Sequence, residues 1–217
     1  MNANSLFVPV GLAEAAYLSG LSRRDIDRVI DERIVPDAMI AGGGVRMITA
    51  AACALARFYF ETAATLTAAT RRRIVADISE RLLAQRAATA GKRINLDRLS
   101  FDEGVLHVEF AGFLRTVIDA RKRLAGSEKL IVSDDDILGG EPVFKGTRVP
   151  VRQVAAALAA GESAQRVRDA YPAISPAMLA AAPAWARAHP ARGRPPNVAS
   201  AIAGARLKSR RVVKRRA

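Results

Sequence analysis

The residues best placed to do chemistry are cations at the end of the chain. Between Arg187 and Ala217 there are ten lysines and arginines and no acidic residue. The whole sequence carries +13, so the first 186 residues hold only +3, an ordinary protein surface. A segment of that composition repels itself and cannot bury enough apolar area to fold alone. Its chemistry is the capture of something acidic, with arginine forks suited to bidentate pairing with carboxylate or phosphate. Nucleic acid, an acidic protein cleft and an anionic membrane are the three partner classes open to it.

Other candidates are weaker. Cys53 is the single cysteine, which excludes a disulfide framework and a cysteine zinc site, and its alanine-rich surroundings read as core. His107 and His189, the two histidines, lack metal-ligand spacing to any Cys, His or carboxylate cluster, so no metal is expected. Asp134-Asp135-Asp136 reads as a turn, since no glycine and glutamate follow at calcium-loop spacing. No nucleophile–base pair or phosphate loop is recognisable; a binding protein without catalytic residues or cofactor is expected. No apolar run reaches the ~18 residues of a membrane span and no leader precedes the first helix, so a cytoplasmic location is expected.

The elements that must carry the arm read as follows. Val10 to Leu18 suits a short amphipathic helix stopped by Ser19-Gly20. Ser22 caps a second helix from Arg23 to about Arg33, with Asp25 placed for a capping box. Ile26, Val29 and Ile30 form one face, while Arg23, Arg24, Asp27 and Arg28 face elsewhere. This is the sequence form of a helix-turn-helix. Ile34-Val35-Pro36, Met39-Ile40 and Val45 to Ile48 read as a two-stranded ribbon turning at Gly42-Gly43-Gly44, a wing carrying Arg46. Thr49 caps a helix with the aromatic cluster Phe58, Tyr59 and Phe60.

A helix over Thr70–Arg86, strands over Ile94–Leu99 and Val105–Phe110 and a helix over Gly112–Leu124 suggest a small α+β linker. Arg71-Arg72-Arg73 begins the first of these, where the helix dipole disfavours cations. Strands at Ile131-Val132 and Pro142-Val143-Phe144 and helices over Val151–Ala160, Ala164–Ala170 and from Pro176 towards His189 form a three-helix unit. Trp185 reads as core of its third helix.

Two resemblances follow. Ala15 to Gly20, Ser22 to Ile26, Ile34-Val35-Pro36 and Arg46 resemble the DNA-binding domain of MerR-type regulators. That family's usual Arg-Tyr-Tyr run is Asp27-Arg28-Val29 here, so no metal or drug sensing is implied. Ser133, Asp134, Leu138, Gly140, Pro142, Val143, Gly146-Thr147-Arg148, Pro150, Gly161 and Tyr171-Pro172 resemble a domain of unknown function found in bacterial antitoxins. Together they make the chain similar to a VapB-type antitoxin of a type II toxin–antitoxin system. The resemblance implies a PIN-domain ribonuclease toxin as partner, its metal held by clustered carboxylates, and repression of the chain's own operon.

The expected fold is mainly α with short β-hairpins. It comprises a winged helix-turn-helix at 1–64, an α+β linker for dimerisation at 65–129, a three-helix domain at 130–190 and a basic arm at 191–217. The DNA-binding candidates are Ser22, Arg23, Arg24, Asp27, Arg28 and Arg46. The toxin-binding candidates are Trp185, Arg192, Arg194, Arg206, Arg210 and Arg211, with Val198, Ile202 and Leu207 as apolar anchors. A homodimer within a hetero-oligomer is expected to read an inverted repeat in operator DNA. The competing expectation is a free-standing regulator or recombinase-like protein whose arm also serves DNA. Arg192-Gly193-Arg194-Pro195 would then act as an AT-hook core in the minor groove.

Overall fold

The computed structural model describes residues 3–89 and 94–191. The arm residues Arg192, Arg194, Val198, Ile202, Arg206, Leu207, Arg210 and Arg211 therefore lie outside the described part. What is described is mainly helical with small antiparallel sheets. No described helix is long and apolar enough to cross a membrane.

A short strand, β1 (Pro9–Gly11), leads into α1 (Leu12–Ser19). Gly20 ends α1 in the left-handed region, at φ +74°, and its N–H donates to the Ala16 carbonyl at 3.0 Å. Arg57 comes so close that a Cβ at residue 20 would meet its guanidinium at 2.9 Å. Backbone conformation and space therefore both call for glycine here. The turn then starts α2 (Arg23–Asp31), followed by β2 (Ile40–Ala41), β3 (Met47–Thr49) and α3 (Ala50–Glu61).

The ribbon differs from expectation at one strand. Ile34 and Val35 are not a strand; they are buried in the core as a plug after α2. The sheet also has one strand more than the two-stranded ribbon expected: β1 pairs antiparallel with β3, in the order β1-β3-β2. Val10 opposes Ile48 and Ile40 opposes Ile48 from the other side. The glycines turn the ribbon as expected, with Gly44 at φ +99°.

α4 (Ala68–Ala88) buries Ile74, Val75, Ile78 and Leu82. The following hairpin pairs β4 (Ser100–Glu103) with β5 (Leu106–Glu109). Its first strand lies C-terminal to the expected Ile94–Leu99, which instead enters through a 3₁₀ turn at Leu96–Arg98. α5 (Ala111–Glu128) completes this half. One hydrophobic core runs from Leu6 to Ala120, so the packing does not break at the expected 64/65 boundary. Phe58 of α3 meets Phe110 and Phe113 edge-on at ring distances of 5.9 and 5.4 Å, joining the two segments. The buried residues of α4, the β4–β5 hairpin and α5 up to Ala120 thus share one core with α1–α3.

A second core begins after α5. β6 (Ile131–Val132) pairs with β7 (Val143–Phe144), and α6 (Val151–Ala159), α7 (Ala164–Ala170) and α8 (Pro176–Ala188) follow. Phe144, Val151, Val154, Val167, Leu179 and Trp185 are buried together. Gly161, at φ +90°, closes α6, while Ser163 and Ser175 cap α7 and α8 by accepting the Arg166 and Met178 N–H groups, each at 3.2 Å. α8 also packs against α1 and α5, so the last helix bridges both cores.

Candidate nucleic-acid interface and the exit of the basic arm

The capping box sets where α2 begins. The Asp25 N–H donates to Ser22 Oγ at 3.1 Å, and the Ser22 N–H and hydroxyl donate to Asp25 Oδ2 at 3.3 and 2.6 Å. Ser22 is thus occupied in holding the helix start. Ile26 and Val29 anchor the opposite face with no exposure, which turns Arg23, Arg24 and Arg28 outward.

The structure then brings the ribbon arginine to the helix. Arg46 pairs with Asp31 and lies 3.5 Å from Asp27, which in turn pairs with Arg23 at 3.4 Å. Arg28 donates from Nε to Glu32 at 2.8 Å, and its guanidinium sits 5.3 Å over the Phe60 ring. The Glu32 hydrogen bond holds the Arg28 pKa above its ordinary value. Arg72 of α4 reaches the same place, donating to the Glu32 carbonyl at 3.1 Å. Arg24 is exposed and has no ion-pair partner among the described residues. Two ion-pair groups therefore form, Arg23–Asp27–Arg46–Asp31 and Arg28–Glu32–Arg72, so most of the positive charge on and around α2 is already met by carboxylates. Exposed pairs of this kind are worth roughly 0–1 kcal/mol each, so a phosphate can displace a carboxylate at little cost.

Arg72 was expected only as part of a triplet at a helix start, and the fold gives each member a use. Arg71 lies 4.3 Å over the Tyr59 ring, Arg72 reaches Glu32, and Arg73 pairs with Glu103 of the hairpin. Because α4 begins at Ala68, two residues before the expected start, the triplet sits past the first turn, where the dipole effect has largely fallen off.

Between this surface and the end of α8 lies a cleft of about 540 Å³, lined by Gly11, Glu14, Arg23, Asp27, Arg46 and His189 among others. Burial pushes the Glu14 carboxyl up, against the opposing effect of Arg121. His189 ends α8 stacked on Trp185 at 4.7 Å, and Arg152 stands 5.2 Å over the other member of that pair, the Trp185 ring. Trp185 is only 7% exposed. Trp185, a candidate for toxin contact, is therefore a core residue of the second unit, with His189 stacked on it. Cys53 is wholly buried, and burial pushes its thiol pKa up, which makes it an inert core residue. In the Asp134–Asp136 turn, Asp134 Oδ1 accepts from the Asp136 N–H at 3.0 Å.

Comparison with known proteins places part of this architecture. Residues 131–186, covering the second core, match the family described as "Protein of unknown function (DUF433)". The crystal structure of Rv2018 from Mycobacterium tuberculosis aligns over 81% of this chain and 97% of that one. Its identity is 19% and its TM-score 0.30, too loose a superposition to establish a shared fold. The uncharacterized protein y4eO of Sinorhizobium fredii (strain NBRC 101917 / NGR234) is 37% identical over 182 residues, spanning 84% of this chain and 82% of that protein. The chain belongs to the family of this y4eO protein and carries a DUF433 segment as its second core.

Proposed function

We propose that the chain is a VapB-type antitoxin with two separate binding surfaces. On this reading α1, α2 and the β2–β3 ribbon are a MerR-like winged helix-turn-helix that grips operator DNA as a two-fold dimer. The arm that follows Ala191 enters the carboxylate-lined metal site of a PIN-domain ribonuclease and blocks it. A nuclease that holds a divalent cation with several carboxylates presents a negative cleft, which spaced arginines can fill by bidentate pairing. Coupled folding lets a short arm cover a large surface. The observation that carries the reading is the segregation of charge: ten cations without one acid between Arg187 and Ala217, following a body of +3. The DUF433 match at 131–186 supports it, since that is the segment whose motif resembles the antitoxin domain.

The test is inhibition of a PIN-domain ribonuclease encoded beside this gene. The full chain should abolish its RNA cleavage, and a chain ending at Ala191 should not. Equal inhibition by both would refute the role of the arm.

A second reading has its own support. His189, two residues before the last described residue Ala191, lines the same cleft as Arg23 and Arg46. An arm in that position could lie along phosphates or in a minor groove, making the chain a free-standing DNA-binding regulator. The two readings part on the salt dependence of DNA binding.

A further inference from the structure

The outer side of the α6–α8 pair carries an open groove of about 510 Å³. Ala155, Ala156 and Ala159 line it from α6, Pro183 and Ala186 from α8, and Leu158 adds a larger apolar surface. Such small side chains let a second helix approach to the close end of the usual ~8–10 Å packing distance. Two arginines also line the groove. Arg152 donates to the His189 carbonyl, and Arg187 is exposed with its guanidinium 5.5 Å over the Tyr17 ring. Neither has an acidic partner among the described residues. A smaller groove of about 350 Å³ shares Pro183 and Arg187 and adds Arg123, which likewise has no carboxylate partner there.

The charge decides between occupants. The chain's own arm begins at this groove, since Ala191 lines it, and offers Val198, Ile202 and Leu207 as apolar residues. The arm would nevertheless bring Arg192, Arg194 and Arg206 against Arg152 and Arg187, like charge upon like. We propose that the groove seats an acidic amphipathic helix of a protein partner. Its apolar stripe, spaced i, i+3/i+4, i+7, lies on the alanines, and its carboxylates pair with Arg152 and Arg187. That this partner is the ribonuclease rests on the reading above; the groove's chemistry does not.

The test uses the full chain and three synthetic peptides without tryptophan, titrated by calorimetry and by the fluorescence of Trp185, the chain's only tryptophan. One peptide is a helix former with leucines on one face flanked by glutamates. The second replaces those glutamates by lysines, and the third is residues 196–209 of this chain. The glutamate peptide should bind saturably and at least about tenfold tighter than the other two, a difference of ~1.4 kcal/mol. Ala156→Glu, at an exposed position, should weaken it by a similar factor without altering the melting curve, and Arg187→Glu should erase the preference over the lysine peptide. The proposal is overturned if no peptide saturates, if the lysine or arm peptide binds as tightly, or if Ala156→Glu changes nothing. A shift in oligomeric state caused by Ala156→Glu would assign the groove to a second copy and overturn it too. No nuclease enters these titrations, so failure of the groove leaves the proposed inhibition standing, and the reverse.

Discussion

The arginines of the two halves live under opposite conditions. Around α2, Arg23, Arg28, Arg46 and Arg72 each face a carboxylate from Asp27, Asp31 or Glu32. At the far end, Arg152 and Arg187 rest on aromatic rings without an acidic partner among the described residues, and the sequence beyond adds no acid at all. A count of cations therefore says little about which are available. The α2 surface is close to neutral, with guanidiniums already oriented, so it gains from a polyanion chiefly by exchanging partners. The C-terminal end has unmatched charge and attracts acidic surfaces from a distance.

The sharpest way to break this comparison is to strip the α2 surface of its reach. Replacing Arg24 and Arg28 together by alanine should lower operator affinity by about 100-fold and reduce the salt slope by roughly two, leaving nuclease inhibition intact. Retained repression would refute the placement. Ser22→Ala removes the hydroxyl that accepts the Asp25 N–H while sparing the Ser22 N–H bond to Asp25, and should cost ~1 kcal/mol of stability, read as a lowered urea midpoint with unchanged slope. Asp31→Asn takes one carboxylate from Arg46 and should raise operator affinity about two- to fivefold at low salt, the gain fading at high salt. An unchanged low-salt affinity would mean that the carboxylates do not compete with phosphate.

The smallest effect is a pH dependence in the β4–β5 hairpin, where His107 contacts Asp102. The Asp102 hydrogen bond raises the His107 pKa, and the His107 hydrogen bond lowers that of Asp102. The histidine's contribution is complete below its ordinary value of 6.5 and is lost as pH rises through its raised folded value. The aspartate's is complete above its ordinary 3.8 and is lost as pH falls through its lowered one. His107→Gln should therefore lower the melting temperature slightly near pH 5 and not at pH 9. Both side chains are exposed, which keeps the difference small.

Much of the fold is written locally and could be read from sequence. Ser22, Thr49, Ser163 and Ser175-Pro176 each cap the helix they announce, because a cap needs only a side chain and the next turn. The errors are non-local. Nothing around Pro9–Gly11 states that it will pair with Met47–Thr49, some forty residues on. Ile34-Val35 has strand-like composition but is claimed by the core. Nor does local sequence show that Phe58 and Phe110, far apart along the chain, meet edge-on and join α3 to the start of α5. For the site, the residues on α2 were legible from their spacing, since helical phase alone turns Arg23, Arg24 and Arg28 away from Ile26 and Val29. That Asp31 would claim Arg46 across the ribbon, or that Arg72 would reach Glu32, was not, because both depend on how α2, β3 and α4 meet.

The division of labour between body and arm is tested most directly by one titration series. Affinity for the operator fragment upstream of this gene should be measured against salt for the full chain and for a chain ending at Ala191. The account predicts parallel lines with nearly equal affinities, alongside loss of nuclease inhibition in the shorter chain. A slope shallower by several units on truncation would contradict it, because the arm's cations would then be spending themselves on phosphates.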